Sequence, residues 1–166
     1  MQERYHVRVA DDRLVFSAAH FITIGADCCE RLHGHNYRVA AEVSGPLDEN
    51  HCVVDFLVLR ENLQATLQEL DHRVLLPAQS ASIRVTAGDE EVTATFARRR
   101  WVFPREDCAL LPMANTTAEL LARYVAGRLL ERLDTGIGFR PSTVRVEIEE
   151  SFGQSAAFAC SQVVAR

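Results

Sequence analysis

His33-Gly34-His35-Asn36-Tyr37-Arg38-Val39-Ala40-Ala41-Glu42-Val43-Ser44, followed by Gly45-Pro46, is the stretch on which the reading of the fold turns. From His35 to Ser44 the residues alternate as a strand requires, and Gly45-Pro46 ends the run. Alternate side chains of a strand share a face, so His33, His35, Tyr37, Val39, Ala41 and Val43 form one row, with Gly34 leaving room between the two imidazoles. Upstream, Leu14 to Phe21 reads as another strand, on which His20 stands in the row of Leu14, Phe16 and Ala18. Each histidine alone reads better as a satisfied core or turn residue. Three at the ends of matching apolar rows point instead to a metal site of His20, His33 and His35. Three imidazoles with an open fourth position is a catalytic zinc arrangement, and an imidazole-only tetrahedral set suits zinc better than copper or iron.

Working outward, Tyr5 to Ala10 is a further strand, with Asp11-Asp12 as a turn before the next. A first helix is expected with Asp55 as its cap, placing Leu59, Leu63, Leu67 and Leu70 on one face. A second is marked by the capping-box spacing of Thr116-Thr117-Ala118-Glu119, leading into Leu120, Leu121, Tyr124, Val125, Leu129 and Leu133. Between them, Ile83 to Thr86 and Glu91 to Phe103 read as a hairpin around Ala87-Gly88-Asp89, an insertion at about residues 82–104. Strands from Thr143 to Glu150 and from Ala156 to Val163 close the chain. The expectation is an α+β fold in one domain spanning 1–166: an antiparallel sheet with both helices packed on one face.

The 166 residues are 48% hydrophobic, enough for a real core, and carry a formal charge of −5 with no continuous basic surface. Nucleic acid and other polyanions are therefore not expected as partners. Arg98-Arg99-Arg100 is the one basic cluster and reads as a solvated hairpin face. There is no signal-peptide pattern at Met1 to Tyr5 and no apolar run of membrane-spanning length, so a cytoplasmic protein is expected. Five cysteines in such a chain argue for reduced thiols, with Cys52, Cys108 and Cys160 as packing residues.

Cys29 lies four residues before His33, in the loop between the two histidine-bearing strands. A nearby dication would lower its pKa. Spacing leaves three roles open: a fourth ligand of a closed site, an inert buried thiol, or a base beside an open site. Cys28 competes for each. Asp71-His72, after the first helix, reads as a polar helix end or as a carboxylate–imidazole pair for proton transfer. Glu150 shares the apolar face of Val144, Val146 and Ile148. Such a glutamate needs a donor, either an arginine or a ligand with two parallel N–H groups.

Phe16-Ser17-Ala18-Ala19-His20 and Cys29-Glu30-Arg31-Leu32-His33-Gly34-His35-Asn36-Tyr37 together resemble the zinc motif of the 6-pyruvoyltetrahydropterin and 6-carboxytetrahydropterin synthase family. Val54-Asp55-Phe56, Leu70-Asp71-His72, Asn115-Thr116-Thr117-Ala118-Glu119 and Glu150-Ser151 extend the resemblance, with Phe158 where the family often has Tyr. It implies the tunnelling fold, one zinc ion per subunit on His20, His33 and His35, and a homo-oligomer, usually a hexamer, with active sites at subunit interfaces. It makes Cys29, rather than Cys28, the catalytic base, with Asp71 and His72 of another subunit completing a triad. It also assigns pterin anchoring to Glu150, and places Thr117 and Glu119 at the pterin pocket.

The short spacing from cysteine to histidine is similar to the bacterial carboxy branch. The implied reaction is conversion of 7,8-dihydroneopterin triphosphate to 6-carboxy-5,6,7,8-tetrahydropterin, with loss of triphosphate and acetaldehyde, in the queuosine-precursor pathway. The alternative is the 6-pyruvoyltetrahydropterin synthase reaction, a triphosphate elimination on the tetrahydrobiopterin-type route. Departures are Ala118 where Ser or Thr is common, the hairpin, and Glu30, since some relatives use a glutamate in this loop to cleave dihydroneopterin differently. More distant readings are a zinc hydrolase, with Glu30 or Glu150 as base, and a noncatalytic pterin-binding module.

Overall fold

The computed structural model describes residues 4–161, and the expected end of the last strand at Val163 lies outside them. The N-terminal strands are β1 (Tyr5–Val9) and β2 (Val15–His20), followed by two short strands, β3 (Thr23–Ile24) and β4 (Cys28–Cys29). Next comes β5 (His33–Gly45), then α1 (Phe56–Leu67), β6 (Arg73–Pro77), β7 (Arg84–Ala87), β8 (Glu91–Phe96), β9 (Arg99–Pro104) and β10 (Cys108–Leu111). α2 (Ala118–Ile137), β11 (Thr143–Ser151) and β12 (Gln154–Ser161) complete the described chain.

The thirteen-residue β5 organises the sheet. Its first half pairs antiparallel with β2, with His20 opposite His33 and Ala18 opposite His35. Its second half pairs with β1 on the same edge, with Val9 opposite Ala41. β11 runs antiparallel along the other edge, Ile148 opposite Val39, and β12 pairs with β11 beyond it. Parity then does the sorting. Val7, Val9, Phe16, Ala18, Tyr37, Val39, Ala41, Val43, Val144, Val146 and Ile148 are all buried on one face. Both helices cover that face: Leu59, Leu63 and Leu67 of α1, Leu70 just past its end, and Leu121, Val125, Leu129 and Leu133 of α2 join the same core. Each buried leucine contributes about 1.5–3 kcal/mol.

The expected antiparallel sheet is extended on the β2 side by two parallel strands: β6 pairs parallel with β2, and β10 parallel with β6. Their sequences, Val74-Leu75-Leu76 and Cys108-Ala109-Leu110-Leu111, are short apolar runs with no alternation to mark them as strands. The expected hairpin is a three-stranded meander. What reads as one strand from Glu91 to Phe103 is broken into β8 and β9 at Ala97, which sits in the left-handed region at φ 50°. The meander packs Ile83, Val92, Ala94 and Phe96 against Phe21 and Leu76 as a second core.

Asp55 caps α1 as expected, its Oδ1 accepting from Leu57 N at 2.6 Å. The start of α2 differs. Thr117 is its cap and makes no side-chain capping bond, because the capping box is given up to a tertiary contact: the Thr116 hydroxyl donates instead to Phe21 O at 3.2 Å. Of the cysteines expected to pack, Cys108 is buried and Cys160 half-buried, but Cys52 is exposed in a turn, where its Sγ donates to Asn50 O. No helix among the described residues is long and apolar enough to cross a membrane.

Candidate active site

Strand register brings His20, His33 and His35 together, their nearest ligand atoms all within 4.8 Å of one another. Ring centroids stand 4.8 Å apart for His20–His33, 5.2 Å for His20–His35 and 4.8 Å for His33–His35. Two of the rings are held by their far nitrogens: His20 Nδ1 lies 2.8 Å from Thr116 O, and His33 Nδ1 lies 2.8 Å from Arg31 O. A carbonyl can only accept, so both rings carry hydrogen on Nδ1 and turn a lone pair outward from Nε2. His35 Nδ1 has Ser151 Oγ at 3.4 Å. His20 is 1% exposed, and its Nε2 is buried with no hydrogen bond. Burial, stronger here than the opposing pull of Thr116 O and Glu150, lowers its pKa and keeps the imidazole neutral. A buried, lone-pair-bearing nitrogen aimed at two more imidazoles fits a zinc ion, which takes neutral imidazole nitrogens as ligands.

Glu150, on the face its parity predicted, reaches the same place. Its Oε1 is 3.4 Å from His20 Nε2 and 4.0 Å from His35 Nε2, and it accepts from Tyr37 Oη at 3.4 Å. No arginine among the described residues pairs with it. Burial, reinforced by the Glu150 carboxylate, pushes the Tyr37 phenol far above its ordinary range, so Tyr37 remains a donor.

Cys29 closes the β3–β4 hairpin, and Glu30, just after it, reaches the cluster. Cys29 is half-buried and Cys28 exposed. Burial pushes the Cys29 thiol up, Cys28 and Glu30 add to the shift, and the Arg99 guanidinium opposes it. Glu30 Oε2 is 3.9 Å from His33 Nε2. Arg99, expected as part of a solvated face, is instead anchored here: its Nη1 donates to Cys29 O at 2.6 Å and its Nη2 to Glu30 O at 2.9 Å. Its neighbours Arg98 and Arg100 are exposed.

Asp71 and His72 are positioned together. The Asp71 carboxylate accepts from Ser17 N at 2.8 Å and from His72 Nδ1 at 2.9 Å. Burial raises its pKa, but the Ser17 N–H and His72 outweigh that and hold it below the usual carboxylate range. His72 sits in the left-handed region at φ 56° with its side chain 82% exposed, beside a cleft lined by Ser17, Gly34, His35 and Asn36. No hydrogen bond or ion pair among the described residues joins the pair to Cys29. Thr117 and Glu119 stand at the first turn of α2, Glu119 exposed.

Sequence reasoning missed what supports the cluster. Asn115 exchanges hydrogen bonds with the backbone of Thr23, at 3.2 and 2.9 Å, and Thr116 holds both His20 and Phe21. Polar residues before a helix read as caps, and nothing local shows that they face a loop more than ninety positions away.

Comparison with known proteins agrees with this geometry. A relative in Methanocaldococcus jannaschii, described as a putative 6-carboxy-5,6,7,8-tetrahydropterin synthase, is 33% identical over 147 residues, 87% of this chain and 89% of that protein. The dihydroneopterin monophosphate aldolase of Pyrococcus furiosus is 38% identical over 63 residues, 38% of this chain and 53% of that one. The crystal structure of Plasmodium vivax 6-pyruvoyl tetrahydropterin synthase superposes with a TM-score of 0.88 at 26% identity, covering 97% of this chain and all of that one. A catalytic-residue mutant of that enzyme, with a glutamate changed to alanine, superposes with a TM-score of 0.89. The sequence pattern of the 6-pyruvoyl tetrahydropterin synthase family matches residues 11–160, and the chain belongs to that family.

Proposed function

We propose that the protein is a zinc-dependent lyase that converts 7,8-dihydroneopterin triphosphate to 6-carboxy-5,6,7,8-tetrahydropterin, releasing triphosphate and acetaldehyde. The observation that carries this reading is the convergence of three histidines, two with Nδ1 held by backbone carbonyls, and an inward-turned glutamate, with the half-buried Cys29 on the hairpin that precedes His33. The Methanocaldococcus relative supports the carboxy product.

When bound to His20, His33 and His35, zinc supplies positive charge that polarises the substrate's side-chain hydroxyls and draws the neighbouring thiol toward thiolate. Cys29 takes a proton from the substrate side chain. His72, kept in register by Asp71, relays another from a neighbouring subunit, which accounts for its exposure within one chain. Glu150 receives the amino-pyrimidine edge of the pterin through two parallel hydrogen bonds. Thr117 and Glu119 border the pterin from the start of α2.

Substitution tests these roles. Cys29→Ala is expected to keep its zinc and lose turnover by about 10²-fold or more, since general-base catalysis contributes that much. Near-normal turnover would favour a zinc hydrolase, which would need no thiol.

One observation favours a second reading. Glu30 places a carboxylate 3.9 Å from His33 Nε2, next to Cys29 in sequence, so the loop offers two bases. A glutamate is the catalytic residue changed in the Plasmodium mutant, and the Pyrococcus relative is an aldolase. On this reading Glu30 directs a different side-chain cleavage of dihydroneopterin. Glu30→Gln then removes one product while sparing the other, and Cys29→Ala does the reverse.

A further inference from the structure

The meander of β7, β8 and β9 is absorbed by none of the roles above, yet one of its residues reaches the catalytic hairpin. We propose that Arg99 is a positioning residue for this reaction: its guanidinium clamps the backbone of Cys29 and Glu30 so that their side chains stand at working distance from the histidine cluster. This rests on the reading of Cys29 or Glu30 as the base.

Three observations carry it. The fork of the guanidinium is satisfied by two successive carbonyls, Cys29 O at 2.6 Å and Glu30 O at 2.9 Å, rather than by a carboxylate. The fork is itself held, because Arg99 Cζ lies 4.5 Å over the Trp101 ring and Trp101 stacks on Phe21 with centroids 4.5 Å apart and planes 18° from parallel. Phe21 directly follows His20, so one stack ties the arginine, the hairpin and a candidate ligand strand together. Finally, the hairpin is short: β3 and β4 are two residues each and the turn between them is exposed, while Cys29 packs on the second core and, among the described residues, backbone anchors besides the ladder are Glu30 N to Ile22 O and the Asn115 bonds to Thr23.

A base must come within about 3 Å of the proton it takes, and a misplacement of about 1 Å costs on the order of 10²-fold in rate. Two bonds to the carbonyls flanking both candidate bases restrict the motion that would misplace them. The guanidinium charge also faces the Cys29 thiol, opposing burial, Cys28 and Glu30.

The test compares Arg99→Ala and Arg99→Lys with Arg98→Ala in the zinc-loaded full chain. It reads kcat and KM with 7,8-dihydroneopterin triphosphate, zinc content, melting temperature, and amide exchange of residues 28–32. For both Arg99 variants kcat is expected to fall by about 10- to 100-fold with KM within about threefold of wild type, zinc content and melting unchanged, and exchange of the loop faster. Millimolar guanidinium, but not sodium chloride, should restore part of the Arg99→Ala rate, and Arg98→Ala should match wild type. The proposal is overturned if kcat is unchanged, or if melting, zinc and rate fall together with no guanidinium rescue. If wild type itself shows no turnover, the functional reading fails, and the clamp is judged on exchange alone: unchanged exchange in Arg99→Ala overturns it.

Discussion

At the scale of single residues, alternation on β2 and β5 sufficed to bring His20, His33 and His35 together and, on β11, to turn Glu150 to the same buried face, because in a strand position in sequence is direction in space. Gly34 shows how tight that placement is. A Cβ there would lie 3.2 Å from Ala18 O, a backbone atom held in the β2–β5 ladder. Gly34→Ala therefore has to part the two strands that carry the three histidines. It is expected to lower stability by about 1–3 kcal/mol, as overpacking does, and to weaken zinc binding as well. A metal-competition titration alongside thermal unfolding checks both, and unchanged zinc affinity would count against a cluster set by strand register. Arg99 was not legible in the same way. Its contacts are some seventy residues distant, and three adjacent arginines give no local sign that one of them is turned inward.

Among the elements, the long alternating strands and the two amphipathic helices could be read directly. β6 and β10 could not, because a short strand buried on both faces has no polar partner residues to reveal its period. The division of β8 from β9 depends on Ala97 adopting a left-handed conformation that its residue type does not favour. The helices are also joined by charge. Glu69, after α1, accepts from Arg128 at 3.1 and 3.0 Å and from Arg132 at 2.6 Å, both on α2. Those hydrogen bonds, Arg128 foremost, outweigh burial and hold its carboxyl below the ordinary value of 4.5. A depressed carboxylate stabilises the fold fully above its unfolded value and loses that contribution as pH falls through the folded one. Glu69→Gln is thus expected to cost about 1 kcal/mol at neutral pH, the arginines being about a third exposed. The difference in melting temperature from wild type should close as the pH is lowered below 4.5. A gap that persists in acid would assign the effect to packing.

For the molecule as a whole, family membership and the superposition on the Plasmodium enzyme leave the assembly as a proposal, and the site geometry bears on it. Among the described residues the sheet ends at β10 on one side and β12 on the other. No hydrogen bond or ion pair among them joins Asp71 or His72 to Cys29. A hexamer with sites between subunits joins these facts. Co-expressed Cys29→Ala and His72→Ala chains, each inactive alone, should then recover part of the wild-type rate as mixed oligomers. No recovery, in mixed particles verified by mass, would return the site to a single chain.

The reaction is tested at its products, by incubation of the zinc-loaded protein with 7,8-dihydroneopterin triphosphate followed by mass spectrometry. The expected result is 6-carboxy-5,6,7,8-tetrahydropterin with triphosphate and acetaldehyde. Accumulation of a pyruvoyl pterin instead would transfer the protein to the sister reaction, and unchanged substrate would contradict the account.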